Sequence, residues 1–183
     1  MTKTRSNIAI TILVSLTLLL GTHCFAMSNK TITSPNKHLK VKFILDDSGT
    51  PFYSVQLHGK EVLAPSALGL ICSDGQAFNT ALTLEKISAS KKVKDDYTML
   101  TGKRKQCDYR ANRRTFTLKN NQGQTLQIIF QVSNDGLAFR YALPEESDKP
   151  LSVTEEKTAF AFKPTAISWL HPMQPTKTGW SRT

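Results

Sequence analysis

Between residues 38 and 144, apolar side chains recur at every second position. Leu39, Val41, Phe43 and Leu45 alternate with Lys40 and Lys42, Asp46-Asp47-Ser48-Gly49 turns the chain, and Tyr53, Val55 and Leu57 alternate with Ser54 and Gln56. Successive side chains on a strand point to opposite faces of its sheet. The pattern therefore predicts two antiparallel strands, each burying one face. His58-Gly59-Lys60 makes another turn, Glu61 to Leu63 a short edge strand, and Pro65, which has no N–H for a ladder, a stop. Further strand-length runs are Leu68 to Cys72, Leu82 to Ile87, Tyr97 to Thr101, Arg114 to Leu118, Leu126 to Val132 and Leu137 to Leu143. Clusters of Gly, Asn, Asp or Ser separate them. Past residue 26, no window of about twelve residues keeps the 3.6-residue apolar repeat of a helix. The expectation is an all-β chain of short antiparallel strands in a sandwich or barrel.

The clearest hairpin is formed by the last two runs. Leu126, Ile128, Phe130 and Val132 share one face of the first strand, and Leu137, Phe139, Tyr141 and Leu143 share one face of the second. Asp135-Gly136 between them tolerates the positive φ of a tight hairpin turn. Arg140 falls on the opposite face, where it is either solvated or a binding group. After Pro150 the alternation breaks up, leaving Phe160-Ala161-Phe162 as a last strand candidate. The stretch from Ile167 to Thr183 carries Trp169, His171, Pro172, Pro175 and Trp180 and is too irregular for a sheet.

The first 26 residues read as an export signal: Lys3 and Arg5 precede an apolar run from Ile8 to Leu20, and Cys24-Phe25-Ala26 ends in small residues at the cleavage positions. Cleavage is expected after Ala26. The run is shorter than the roughly 18 to 20 residues of a spanning helix, so no stable membrane span is expected, although an anchor and a lipid-modified Cys24 stay open. A polar lead, residues 27–37, follows with no periodicity and little expected order.

Charge narrows the partners. Loss of Lys3 and Arg5 with the leader takes the formal net charge from +10 to +8. Nucleic acid is improbable for an exported chain, which leaves an anionic membrane, an acidic partner or a lopsided soluble surface. The densest charge is Lys103, Arg104, Lys105, Arg110, Arg113 and Arg114, set against Asp108 alone within residues 102–114. It suits an anionic glycan, a negatively charged neighbouring domain, or a solvated strand edge guarded by cations. Cys72 and Cys107 remain after the leader, and their pairing is open in an oxidising compartment. His23, His38, His58 and His171 have no metal-ligand spacing. The doublets Asp46-Asp47, Asp95-Asp96, Glu145-Glu146 and Glu155-Glu156 read as solvated loop residues, because neighbours on a strand face opposite ways and make poor acid/base pairs. Neither a Gly-x-Ser-x-Gly elbow nor a phosphate-cradling glycine loop occurs, so catalytic and metal-ligating residues are expected to be none.

From Ser34 to Trp180, the order of several short motifs resembles the N-terminal domain of glycoside hydrolase family 97. They are the leading Ser-Pro at 34–35, Leu-Gly-Leu at 68–70 after Pro65-Ser66, the stretch from Tyr97 to Lys105 with Asn112 downstream, Asn-Asp-Gly-x-Ala-Phe-Arg-Tyr at 134–141, and Ser-Trp-Leu-His-Pro at 168–172. The resemblance implies a large β-sandwich similar to galactose mutarotase, spanning 38–168. Residues 169–183 would begin a linker to a (β/α)₈ barrel that carries the catalytic carboxylates and is absent from this chain. It further implies an exported, periplasmic or secreted α-glucosidase or α-galactosidase as parent. Calcium would be bound only in that full-length parent, with no cofactor in this chain. The implied partners are the barrel and an α-linked oligosaccharide. Trp169, His171 and Trp180, with Arg140, are the candidate carbohydrate contacts, and the chain alone is expected to be inactive. A free-standing carbohydrate-binding or adaptor module is the alternative, and an autonomous mutarotase-like enzyme has less support because no acid/base pair is evident.

Overall fold

The computed structural model describes residues 30–146 and 150–167. Among them are eleven strands and no helix. One sheet has the order β1-β2-β3-β4, from Thr31–Thr33, Leu39–Leu45, Pro51–Leu57 and Lys60–Ala67. A second runs β10-β9-β8-β6, from Leu137–Ala142, Thr125–Ser133, Gln106–Lys119 and Thr83–Ile87, with β7, Lys91–Thr98, also paired to β8. β5, Leu70–Cys72, pairs with β11, Val153–Glu156, as a small third sheet. All pairings are antiparallel.

The two large sheets pack face to face. Val41, Phe43 and Tyr53 from the first meet Phe116, Ile128 and Phe130 from the second, each at most 1% exposed. Phe43 stacks on Phe116 with ring centroids 4.5 Å apart, and Phe116 meets Phe130 edge-on at 5.8 Å. Such pairs contribute about 0.5–1.5 kcal/mol beyond the burial of their area. Inward positions are those of the period-two pattern, so a sandwich follows directly from it.

Several local expectations are corrected. The polar lead is not without order: Ile32, 3% exposed, anchors β1 on β2, because one apolar, β-branched residue between two threonines is enough for a three-residue edge strand. Pro65 does not end β4, since an edge strand has a side on which no N–H is needed. The run at Tyr97 is displaced to β7, where lysines followed by two aspartates pair with β8. β8 extends back to Gln106 through the basic stretch, because β7 and β6 pair end to end with it on one side. Leu68 lies outside a strand but is fully buried. Neither Asp135 nor Gly136 has a positive φ. Instead Ser133 closes the hairpin turn, its N–H donating to Gly136 O at 2.9 Å and its Oγ to Asp135 Oδ1 at 2.6 Å. Asp95-Asp96 and Glu155-Glu156 lie on strands, not loops, and Cys72 and Cys107 are free thiols.

Both open sides of the sandwich are tied. At one, Asn112 Nδ2 donates to Thr33 O at 2.8 Å and Arg114 Nη1 to Thr31 O at 2.6 Å, so β8 side chains hold β1 across the layers. At the other lies residues 157–161, a strap along β4 rather than the strand expected at Phe160-Ala161-Phe162. Lys157, Ala159 and Ala161 N–H groups donate to Gly69 O, Ala67 O and Ser66 Oγ. A side-chain oxygen replaces the backbone carbonyl at the third contact, which interrupts a regular ladder. Tyr53 Oη donates to Ala159 O at 3.2 Å, fastening the strap to the core.

Candidate functional site

Two clefts flank β10. Its inward residues Phe139 and Tyr141 face Phe130 and Ile128 across the ladder, so Arg140 between them projects from the outer face, exposed. Arg140 lines a shallow cleft of about 220 Å³ with Arg113, Ile129, Gln131, Ala138 and Phe139. Arg113 donates through Nε and Nη2 to Gln131 Oε1 at 2.9 and 2.7 Å, and Gln131 Nε2 donates to the Tyr109 hydroxyl at 2.8 Å. Arg113 and Gln131 in the cleft's polar wall are thus pre-organised before any ligand arrives.

The second cleft, about 500 Å³, opens where the β10 edge meets the strap and is lined by Leu137, Ala138, Phe139, Glu156, Thr158 and Phe160. A directed hydrogen-bond chain shapes it. Thr158 has one hydroxyl proton, which goes to Glu156 Oε1 at 2.6 Å, so the 2.7 Å contact with Tyr141 is donated by the tyrosine. Tyr141 in turn accepts from the buried Gly69 N–H at 3.0 Å. Burial pushes the Tyr141 phenol above its ordinary pKa, so it holds its proton and donates well beyond neutral pH. Phe160, 59% exposed, supplies an aromatic face beside this polar chain. An aromatic ring with a hydroxyl and a carboxylate is a combination that grips sugar. Glu156 is the one carboxylate lining this cleft, so two-carboxylate hydrolysis has no pair there.

Of the residues expected to contact carbohydrate, Arg140 is placed as above, and Trp169, His171 and Trp180 lie outside the described residues. The Phe160 cleft was not foreseen, because its walls come from two segments that local alternation does not link. His38 and His58 are brought together with ring centroids at 4.3 Å. No cluster of three or more His, Cys, Asp or Glu that would hold a metal occurs among the described residues. The basic stretch is partly consumed by structure: Arg110 pairs with Asp96 at 2.6 Å and with Asp108, and Arg114 also donates through Nε to Ser88 O at 2.9 Å.

These features define a two-layer antiparallel β-sandwich domain with a ligand-sized cleft at one sheet edge. A family model described as Glycosyl-hydrolase 97 N-terminal matches residues 32–182. A "Probable retaining alpha-galactosidase" of Streptomyces bingchenggensis (strain BCW-1) is 31% identical over 123 residues, covering 67% of this chain and 19% of the relative. The crystal structure of a beta-arabinopyranosidase superposes with a TM-score of 0.67 at 35% identity, covering 73% of this chain and 21% of that one. A glycoside hydrolase family 97 enzyme from Pseudoalteromonas sp. strain K8, solved in complex with panose and with acarbose, gives 0.66 at 26% identity, covering 73% and 20%. The chain belongs to the glycosyl-hydrolase 97 N-terminal family, and it spans about a fifth of the length of the relatives it matches.

Proposed function

We propose that this chain is the exported N-terminal domain of an α-glucosidase- or α-galactosidase-type glycoside hydrolase, bracing a catalytic (β/α)₈ barrel and helping to wall its sugar pocket. The observation that carries the reading is the set of exposed large apolar residues in the segment from Val153 to Ile167. Val153, Phe160, Phe162 and Ile167 are 51%, 59%, 57% and 86% exposed. Large apolar groups gathered on one segment mark a surface that another domain covers. A barrel needs about 250 residues, which fits within the part of the relatives that this chain does not span. The leader pattern supports a periplasmic or secreted location. Panose and acarbose, bound by the Pseudoalteromonas enzyme, point to α-linked oligosaccharide as the ligand class. No cluster of His, Cys, Asp or Glu among the described residues would hold the calcium implied for the full-length parent.

The purified chain should give no turnover of nitrophenyl α-glucoside or α-galactoside. It should also bind an apolar-surface dye, with most of the signal lost in Phe160→Ser/Phe162→Ser at unchanged circular dichroism. Clear turnover, or an unaltered dye signal in the double variant, overturns the reading. The Phe160 cleft favours a second reading, a module that binds carbohydrate by itself. Calorimetric titration with panose separates the two, because only that module shows heat of binding that Phe160→Ala abolishes.

A further inference from the structure

The β7–β8 hairpin outruns the sandwich. Pairing of β8 with β9 begins at Ala111↔Ser133, whereas pairing with β7 continues to Thr98↔Gln106. Residues 94–98 and 106–110 therefore form a two-stranded arm, roughly 17 Å long at about 3.4 Å per residue. Two-stranded ribbons are marginal alone. This one is braced along its length by Arg110 with Asp96 and Asp108, by Lys94 with Asp96 at 3.2 Å, and, at its outer end, by Thr98 Oγ1 donating to Gln106 Oε1 at 2.9 Å. The Met99 N–H donates to Lys105 O at 2.8 Å and closes the apex.

Composition divides sharply along the arm. Asp95, Asp96 and Asp108 lie no farther out than the Asp96↔Asp108 pair at mid-arm, and residues 97–107 contain no carboxylate. The apex carries Lys103, Arg104 and Lys105, all exposed. Beside them Tyr97 is 46%, Met99 43% and Leu100 101% exposed, so the most exposed large apolar side chain among the described residues stands at the tip of the arm. Asp135, on the β9–β10 turn, is the nearby carboxylate that feels Arg104. A solvated strand guard explains the lysines but not an apolar wedge among them. An acidic protein surface would likewise meet the cations and leave Leu100 unused. A lipid surface uses both, since acyl chains take the apolar residues and phosphate headgroups the cations.

We propose that the apex of the β7–β8 arm, Met99 and Leu100 with Lys103, Arg104 and Lys105, docks this protein onto an anionic phospholipid surface. The contact is peripheral: the side chains reach the headgroup boundary and nothing spans the bilayer. It is independent of any sugar bound at β10.

Co-sedimentation of the full chain with vesicles of phosphatidylcholine and phosphatidylglycerol, against vesicles of phosphatidylcholine alone, tests the assignment. The apolar leader at residues 8–20 contributes equally to every variant, so the quantity read is the change on substitution at the apex. Lys103→Glu/Arg104→Glu/Lys105→Glu should weaken binding to anionic vesicles at least about tenfold, with little change on neutral ones. Leu100→Asp should weaken the same binding several-fold, and raising salt should mimic the charge variant. These residues are exposed, so circular dichroism should match the parent. Equal binding of parent and charge variant overturns the proposal. So does loss with the charge variant but not with Leu100→Asp, which would show polyanion docking without a lipid contact.

Discussion

The chain from Gly69 through Tyr141 and Thr158 to Glu156 makes one testable claim about stability. Gly69 is buried, and its backbone cannot shift easily, because a Cβ there would sit 2.7 Å from Phe78 O. Its N–H therefore depends on the Tyr141 oxygen at 3.0 Å. Tyr141→Phe keeps the ring against Phe139 but leaves that donor unmatched, an arrangement that costs about 1–3 kcal/mol. For a domain of this size the loss lowers Tm by roughly 4–12 °C. Thr158→Val removes the middle link while the Gly69 bond survives, and the tyrosine hydroxyl can turn to water at the cleft, so its cost stays below about 1 kcal/mol. Differential scanning calorimetry of the two variants, with amide exchange at Gly69, measures both effects. A Tm for Tyr141→Phe within about 1 °C of the parent would refute the assignment. A larger loss in Thr158→Val would also refute it.

Phe116→Ala, at the centre of the stacked rings, should destabilise the domain by about 3–5 kcal/mol in urea titrations, because the well-packed interface cannot collapse into the space. Gly49→Ala should destabilise by more than about 1 kcal/mol: φ is +74°, and an added Cβ would meet Leu82 N at 2.4 Å. Burial, chiefly, pushes the Tyr53 phenol up to about 12 from its ordinary value of 10.0. The folded state thus holds that proton more tightly, so its stabilisation is complete below pH 10 and lost as pH rises through about 12, visible as tyrosinate absorbance rising together with unfolding. Hydrogen bonds from Arg110 and Lys94 hold Asp96 below its ordinary 3.8, so the β7–β8 arm should stay intact above that value and loosen as pH falls through the lowered one, read as faster amide exchange at Asp96 and Arg110.

The fold class was legible in the sequence because a sheet buried on one face must alternate, and Leu39 to Leu57 and Leu126 to Leu143 do so without ambiguity. Strand ends were less legible where pairing rather than side-chain pattern sets them. Lys91 to Thr98 is almost wholly exposed, and only β8 beside it makes it a strand. Of the candidate site, Arg140 could be placed on an outer face by counting in twos. The Phe160 cleft could not be found this way, because residues 137–139 and 156–160 meet only once the strap crosses from β4 to β10. Alternation by itself determined two apolar-faced sheets. How their edges are closed, which cations are used up in holding layers together, and which remain at the tip of an arm were decided by tertiary contacts, since hydrogen-bond partners as far apart as Asn112 and Thr33 have no local pattern linking them.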